Sequence, residues 1–241
     1  MELRDRTVLV TGGAVRIGAA IVRALAAAGM RVAVHYRHSA AEAKTLCDEI
    51  RAAGGRAAAV AADLDHSEEL DGLISAAARA VGPLDALVNN AAVFHKDTLD
   101  TLRADRLGSE FRINLFAPLF LMRDFAAQGR PGAIVNLLDR RIAGLDPSSA
   151  SYTLAKKTLA EATRLAARHW APRLRVNGVA PGPVLPPPGN GPETMREKAG
   201  PIPLGRPCTP EQIAEAVRFL LAADGITGQI LTVDGGQHLV L

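Results

Sequence analysis

The chain carries a tyrosine and a lysine four residues apart, Tyr152 and Lys156, within the stretch "LLDRRIAGLDPSSASYTLAKK" of residues 137–157. Positions i and i+4 share one face of a helix, so phenol and ammonium are expected side by side. A free phenol titrates at about pH 10, and a neighbouring ammonium lowers that value. Such a pair can hand a proton to an anion as it develops on a substrate. Thirteen residues before the tyrosine lies Asp139, where a strand gives way to a loop. An ionised carboxylate accepts hydrogen bonds and donates none, so it repels a carbonyl oxygen. Asp139 is therefore either protonated or turned towards N–H groups of the substrate. A third arrangement makes it a surface acid paired with Arg140 or Arg141, with Ser148, Ser149 or Ser151 supplying a hydroxyl instead.

The elements that must hold these groups follow from periodicity. Strands are expected at 7–12, 31–36, 57–64, 86–91, 133–138, 175–182 and 230–236. Between them apolar residues recur at helical spacing, as Ile17, Ile21 and Leu25 do before a stop at Gly29. Strand–helix alternation gives a parallel sheet covered on both faces. The expectation is a single α/β domain over residues 1–241, doubly wound around seven parallel strands. The break in composition is residues 180–207, rich in Pro and Gly, which read as a long substrate loop with room for one short helix.

Composition narrows the class. The chain has 241 residues, 48% of them hydrophobic and 4% aromatic, as in an Ala-, Val- and Leu-rich layered fold. A net charge of +3, from 28 basic and 25 acidic residues, is too small and too spread for a nucleic-acid partner. Cys47 and Cys208 lie far apart with no Cys/His cluster, so neither a structural metal nor a disulfide framework is expected. The charged opening is unlike a secretory signal, and no apolar run reaches the roughly 20 residues of a membrane span. A cytoplasmic protein is expected.

The first strand ends in "TGGAVRIG", residues 11–18. Glycine at a strand-to-helix turn lets the backbone approach a pyrophosphate, and the helix start offers free N–H groups. With this loop come "NNAA" at 89–92, Asn114, Tyr-x-x-x-Lys at 152–156, "PG" at 181–182 and "VDGG" at 233–236. In order and spacing these motifs resemble the short-chain dehydrogenase/reductase family over essentially the whole chain. The resemblance implies a Rossmann-type fold and a nicotinamide cofactor. One departure is Arg16, which stands at the middle glycine of the family's usual TGxxxGxG. Its side chain must leave the turn, within reach of cofactor phosphates.

An NAD-type site places Asp or Glu at the end of the second strand. Here that place reads "HYRHSAAEA", with no acid before Glu42. A carboxylate would repel a 2′-phosphate, whereas Arg37, His38 and Ser39 offer charge and donors, so NADPH is the expected cofactor. Ser39 also reads as the N-cap of the second helix. The resemblance adds Thr11, Gly12, Ile17, Gly18, Asn90 and Ala91 along the cofactor, and Asp63 and Leu64 beside its adenine. It implies that Lys156 and Tyr152 meet the nicotinamide ribose and that Asn114 joins a proton relay through water. Pro181, Gly182 and backbone near Val184 would meet the nicotinamide, because the loop lacks the threonine many members use there.

Most of the family carries serine where Asp139 stands. In that acid, in the first-loop arginine, in "HYRHSAAEA" and in "NNAAVF", the chain resembles the pteridine reductases and related dihydromonapterin reductases. The likeness implies a pterin or folate-type substrate, with Asp139 on its amino-pyrimidine side and Phe94 stacked opposite the nicotinamide. Arg16 would touch both phosphates and pterin, and Leu185 would contact the ring from the loop. It also implies a homotetramer. Ala92, in place of a serine, departs from that branch. Arg140 and Arg141 meet either a folate's glutamate tail or water. The competing expectation is a generic carbonyl or 3-oxoacyl reductase in which Asp139 is incidental. A non-catalytic nucleotide sensor is disfavoured because Asn114, Tyr152 and Lys156 are all present.

Overall fold

The computed structural model describes residues 1–186, 189, 191, 193 and 200–240. The β-branched runs become β1 (Thr7–Val10), β2 (Arg31–Tyr36), β3 (Arg56–Ala61), β4 (Ala86–Asn89), β5 (Gly132–Leu137), β6 (Leu174–Pro181) and β7 (Ile230–Val233). They form one parallel sheet in the order β3-β2-β1-β4-β5-β6-β7. Successive side chains on a strand face opposite ways. Val8 and Val10 therefore join one core with Val32, Val34, Val88 and Val135, while Leu9 joins another with Leu87, Ile134 and Val176.

Helices α1 (Arg16–Ala27) and α2 (Ala40–Ala52) cover the first face, together with α7 (Pro210–Ala222). Helices α3 (Ser67–Val81) and α5 (Ala117–Ala127) cover the second, with the C-terminal half of α6 (Ala150–Trp170). Leu9 and Ile134 are fully buried, and truncating either to alanine would cost about 2–5 kcal/mol. Among the described residues no helix is long and apolar enough to cross a membrane.

Strand order reverses between β1 and β4, so a crevice opens at the carboxyl ends of these strands. Here β1, β4 and β7 stop two or three residues short of the expected runs. The residues just beyond β1 and β4, Gly12, Asn90 and Ala91 among them, leave the ladder and line the crevice. Helix α4 (Ala104–Phe111) passes into α5 through a π-helical turn, Arg112–Phe116. The short helix expected within residues 180–207 lies outside the described residues.

Candidate active site

The loop from β1 to α1 is dictated by its backbone. Gly12 has φ of 59°, and a Cβ on Gly18 would lie 2.0 Å from the Gly12 carbonyl oxygen. Arg16 takes φ of 56°, a left-handed conformation unusual for a side-chain-bearing residue. Its side chain leaves the turn, as expected, and Nη2 donates to the Pro186 carbonyl at 2.9 Å across the cleft. Helix α1 has no side-chain cap and no acid in its first turn. Its first N–H groups and positive dipole end are thus open to an anion.

His35 of β2 braces this loop. The Gly12 N–H donates to His35 Nδ1 at 2.9 Å, so the ring proton sits on Nε2, which donates to the Ala62 carbonyl at 3.0 Å. Burial lowers the His35 pKa and favours this neutral form. Thr11 Oγ1 accepts the N–H groups of Asn90 and Ala91 at 2.9 and 3.0 Å, and the Asn90 amide donates to the carbonyls of Thr11 and Gly12. Thr11 is buried, and its hydroxyl works inside the protein, fastening β1 to β4.

At the end of β2, Arg37 Nε pairs with Asp63 at 2.9 Å. Ser39 occupies the N-cap position of α2, yet its hydroxyl makes no capping hydrogen bond. A cleft of about 360 Å³ brings together Gly12, Arg16, Ile17, Gly18, Arg37, Asp63, Leu64, Asn90 and Ala91. His38 is exposed beside it in sequence, while Thr11 and Asn114 are buried and line neither this cleft nor the next one.

A second cleft of about 630 Å³ shares Arg16, Ile17, Asn90 and Ala92 with the first. It gathers Phe94, Asp139, Tyr152, Lys156, Pro181, Gly182, Val184 and Leu185. Tyr152 and Lys156 stand on the first two turns of α6, both buried. The Tyr152 hydroxyl donates to Asp139 Oδ2 at 3.3 Å, and Lys156 Nζ donates to the Leu137 carbonyl at 2.8 Å. Nζ lies 5.8 Å from the Tyr152 ring centroid.

The expectation of a lowered phenol pKa is corrected here. Burial, and next the Asp139 charge, push Tyr152 well above its ordinary value, with Arg141 opposing. Burial lowers Lys156 to about 8, against the pull of Asp139 and Glu110. The tyrosine is therefore a protonated donor at neutral pH, suited to giving its proton as negative charge develops nearby.

Asp139 also takes Arg141. Its Oδ1 accepts the Arg141 backbone N–H at 2.9 Å, and Arg141 Nη1 lies 3.2 Å from both carboxylate oxygens. The pairing expected of a surface acid thus exists, but inside the cleft and alongside the phenol. No serine replaces the acid: Ser148 and Ser149 bond Asp146, and Ser151 bonds Asp97.

Phe94 lines the same cleft. Its ring, 45% exposed, stands edge-on to Tyr152 with centroids 5.0 Å apart and planes at 82°, and the Arg141 guanidinium lies 5.2 Å from its centroid. The loop that carries it is clamped on both sides. Asn114 exchanges two hydrogen bonds with Val93, at 3.2 and 2.9 Å, and donates to Glu110. Glu110 is fully buried, accepts the His95 N–H at 2.7 Å and bonds His95 Nδ1 at 2.9 Å. Burial raises the Glu110 pKa, with His95 opposing. Asp97 accepts the Ser151 N–H and hydroxyl at 3.1 and 2.5 Å, and its carbonyl takes the Ala150 N–H at 3.1 Å.

Residues 13–238 match the family model described as enoyl-(acyl carrier protein) reductase. Pteridine reductase 1 of Leishmania tarentolae is 35% identical, over 96% of each chain. The chain is a short-chain dehydrogenase/reductase. FolM alternative dihydrofolate reductase 1 from Brucella canis, solved with NADP, superposes with a TM-score of 0.94 at 38% identity, covering 99% of this chain and 96% of that one. A 3-oxoacyl-[acyl-carrier-protein] reductase of Synechocystis is 34% identical over 98% of each chain.

Within this short-chain reductase, sequence reasoning did not find His35, Glu110 or His95, nor the place of Arg141. A histidine inside an apolar strand was the available signal for the first. For Glu110 the signal lay four residues before Asn114, one helical turn away.

Proposed function

We propose that the chain is an NADPH-dependent pteridine reductase acting on a dihydropterin or dihydrofolate-type ring. The observation that carries this reading is the Asp139 carboxylate, hydrogen-bonded to the Tyr152 hydroxyl in the cleft. An acceptor-only group at that place disfavours a ketone oxygen and favours a ligand with its own N–H groups. The cofactor fits the residues present: open N–H groups at the start of α1, Arg37 and His38 exposed at the end of β2, and a Ser39 hydroxyl with no capping bond. The NADP complex of the Brucella canis relative supports the same choice.

NADPH supplies the hydride when bound. Tyr152, held protonated by burial, donates its proton to the ring nitrogen beside the reduced carbon. Lys156 holds a cation beneath the phenol and carries the ribose contact implied by the family. Asp139 accepts from the 2-amino side, and Phe94 limits the slot to a flat ring. Exposed Leu231, Leu239 and Val240 near the C-terminus suit contacts between copies in a homotetramer.

The test is NADPH oxidation with dihydrobiopterin against an acetoacetyl thioester. Reduction of the pterin alone is expected; turnover of the thioester alone defeats the reading. One observation favours the second outcome, a 3-oxoacyl reductase: Arg141 already engages both oxygens of Asp139, so the carboxylate is offset by a cation and repels a carbonyl oxygen less.

A further inference from the structure

Arg141 lies in the chemical cleft with Phe94, Asp139 and Tyr152, yet the proposed reaction gives it no task. Its guanidinium meets three partners. Nη1 is 3.2 Å from each Asp139 oxygen, Nε donates to Asp146 at 2.7 Å, and Cζ lies 5.2 Å from the Phe94 centroid. The first and last are the surfaces a pterin would need, a carboxylate for its N–H groups and an aromatic face for its plane.

A guanidinium is a flat carbon bearing three nitrogens, with parallel donors matched to a carboxylate. The 2-amino edge of a 2-aminopyrimidine contains the same carbon and three nitrogens. Asp139 cannot serve both. A carboxylate offers about four lone-pair sites. Here Oδ1 takes the Arg141 N–H and Nη1, and Oδ2 takes Nη1 and the Tyr152 hydroxyl. Turning the phenol towards the substrate frees one site; a two-point grip needs the Nη1 site as well.

Asp146 makes that exchange feasible. Although burial opposes it, hydrogen bonds from Ser148 and Arg141 hold its carboxyl well below the usual carboxylate range. Nη1 can therefore swing off Asp139 while Nε stays on Asp146, and the Arg141 backbone N–H still orients Asp139.

We propose that Arg141 is a specificity residue that stands in for the substrate's amino-pyrimidine edge, and that the substrate binds by exchanging places with its Nη1. A ligand offering two N–H groups to Asp139 completes the exchange; a ketone, offering none, leaves the arginine in place. The identity of the displacing ligand rests on the pteridine-reductase reading, whereas the exchange itself rests on the contacts of Arg141.

The experiment titrates NADPH-loaded protein with 2,4-diaminopyrimidine, at a pH where its N1 is protonated so that N1–H and the 2-amino group form two parallel donors. The control is 4-hydroxypyrimidine, which lacks the 2-amino group. Arg141→Met removes the competing donors and keeps an apolar side chain over Phe94. It should bind diaminopyrimidine about tenfold tighter than the natural chain, or ~1.4 kcal/mol, with control binding and NADPH affinity unchanged. Arg141→Lys, with a single ammonium, should show a smaller gain of about threefold, and decides the matter if the methionine variant fails to fold. Equal or weaker diaminopyrimidine binding in the folded variants overturns the exchange. Dihydrobiopterin turnover by the natural chain is measured in parallel. Tighter binding without that turnover supports the exchange and sinks the pterin reading, while turnover without tighter binding sinks the exchange alone.

Discussion

At the nucleotide end of the cleft, the groups that would meet a ligand are backbone N–H groups, two glycines and a helix start, braced from behind by His35 and Asn90. At the chemical end they are the side chains of Asp139, Arg141, Tyr152 and Lys156, where burial and the Asp139 charge raise the phenol's pKa and burial lowers the ammonium's. The first kind of site is fixed by which residues lack a Cβ and by what packs beneath. The second kind is fixed by pairwise electrostatics, and single substitutions can reprogram it. The difference predicts where mutations should be decisive.

The largest effect is expected from Tyr152→Phe, which should lower kcat by roughly 10²–10⁴-fold while NADPH binding, followed by fluorescence titration, stays unchanged. Undiminished turnover would place the proton source elsewhere and dissolve the contrast between the two ends. Asp139→Ser comes next. Loss of charge-assisted bonds should reduce dihydropterin turnover about 10–100-fold and raise turnover of an acetoacetyl thioester; an unaltered substrate ratio would remove the acid from recognition.

The pH dependence sharpens the same end. Lys156 titrates at about 8 in the folded protein against 10.5 ordinarily. Its ammonium is therefore lost first from the native state, and kcat/KM should fall as pH rises through about 8, tenfold per unit beyond it. Over the window from 8 to 10.5 the unfolded chain holds a proton the folded one lacks, so this group's contribution to stability rises with pH. Opposite trends in activity and thermal unfolding are the signature; an alkaline limb that persists unmoved in Lys156→Arg assigns it to another group.

At the nucleotide end side-chain changes should do less. Arg37→Ala should narrow the preference for NADPH over NADH about tenfold, measured as a ratio of kcat/KM values. Ser39→Ala should weaken NADPH binding only two- to fivefold. It should leave the melting temperature in place, because the hydroxyl caps nothing in α2; a drop in melting temperature would restore the capping role.

How much of this was legible in the sequence follows the same divide. Gly12 and Gly18 were readable because a close backbone approach excludes a Cβ, whatever surrounds it. Tyr152 and Lys156 were readable because helical spacing alone puts them on one face. Glu110 was not. Its spacing to Asn114 is one helical turn, but its full burial and its bond to His95 depend on how the 93–97 loop packs against α4. The raised pKa of Tyr152 was also out of reach, since it depends on burial and on how close Asp139 lies. The place of Arg141 depends on where a long side chain folds back, which spacing does not encode.

The strap from Asp97 to Ala150 and Ser151 has one more consequence. The aromatic rim and the proton donor are bolted to a common mount, so neither can be re-cut without shifting its mate. That side of the slot is the fixed jaw of a calliper. Adaptation to thicker substrates falls to the opposing jaw, residues 181–186, which Arg16 touches through the Pro186 carbonyl.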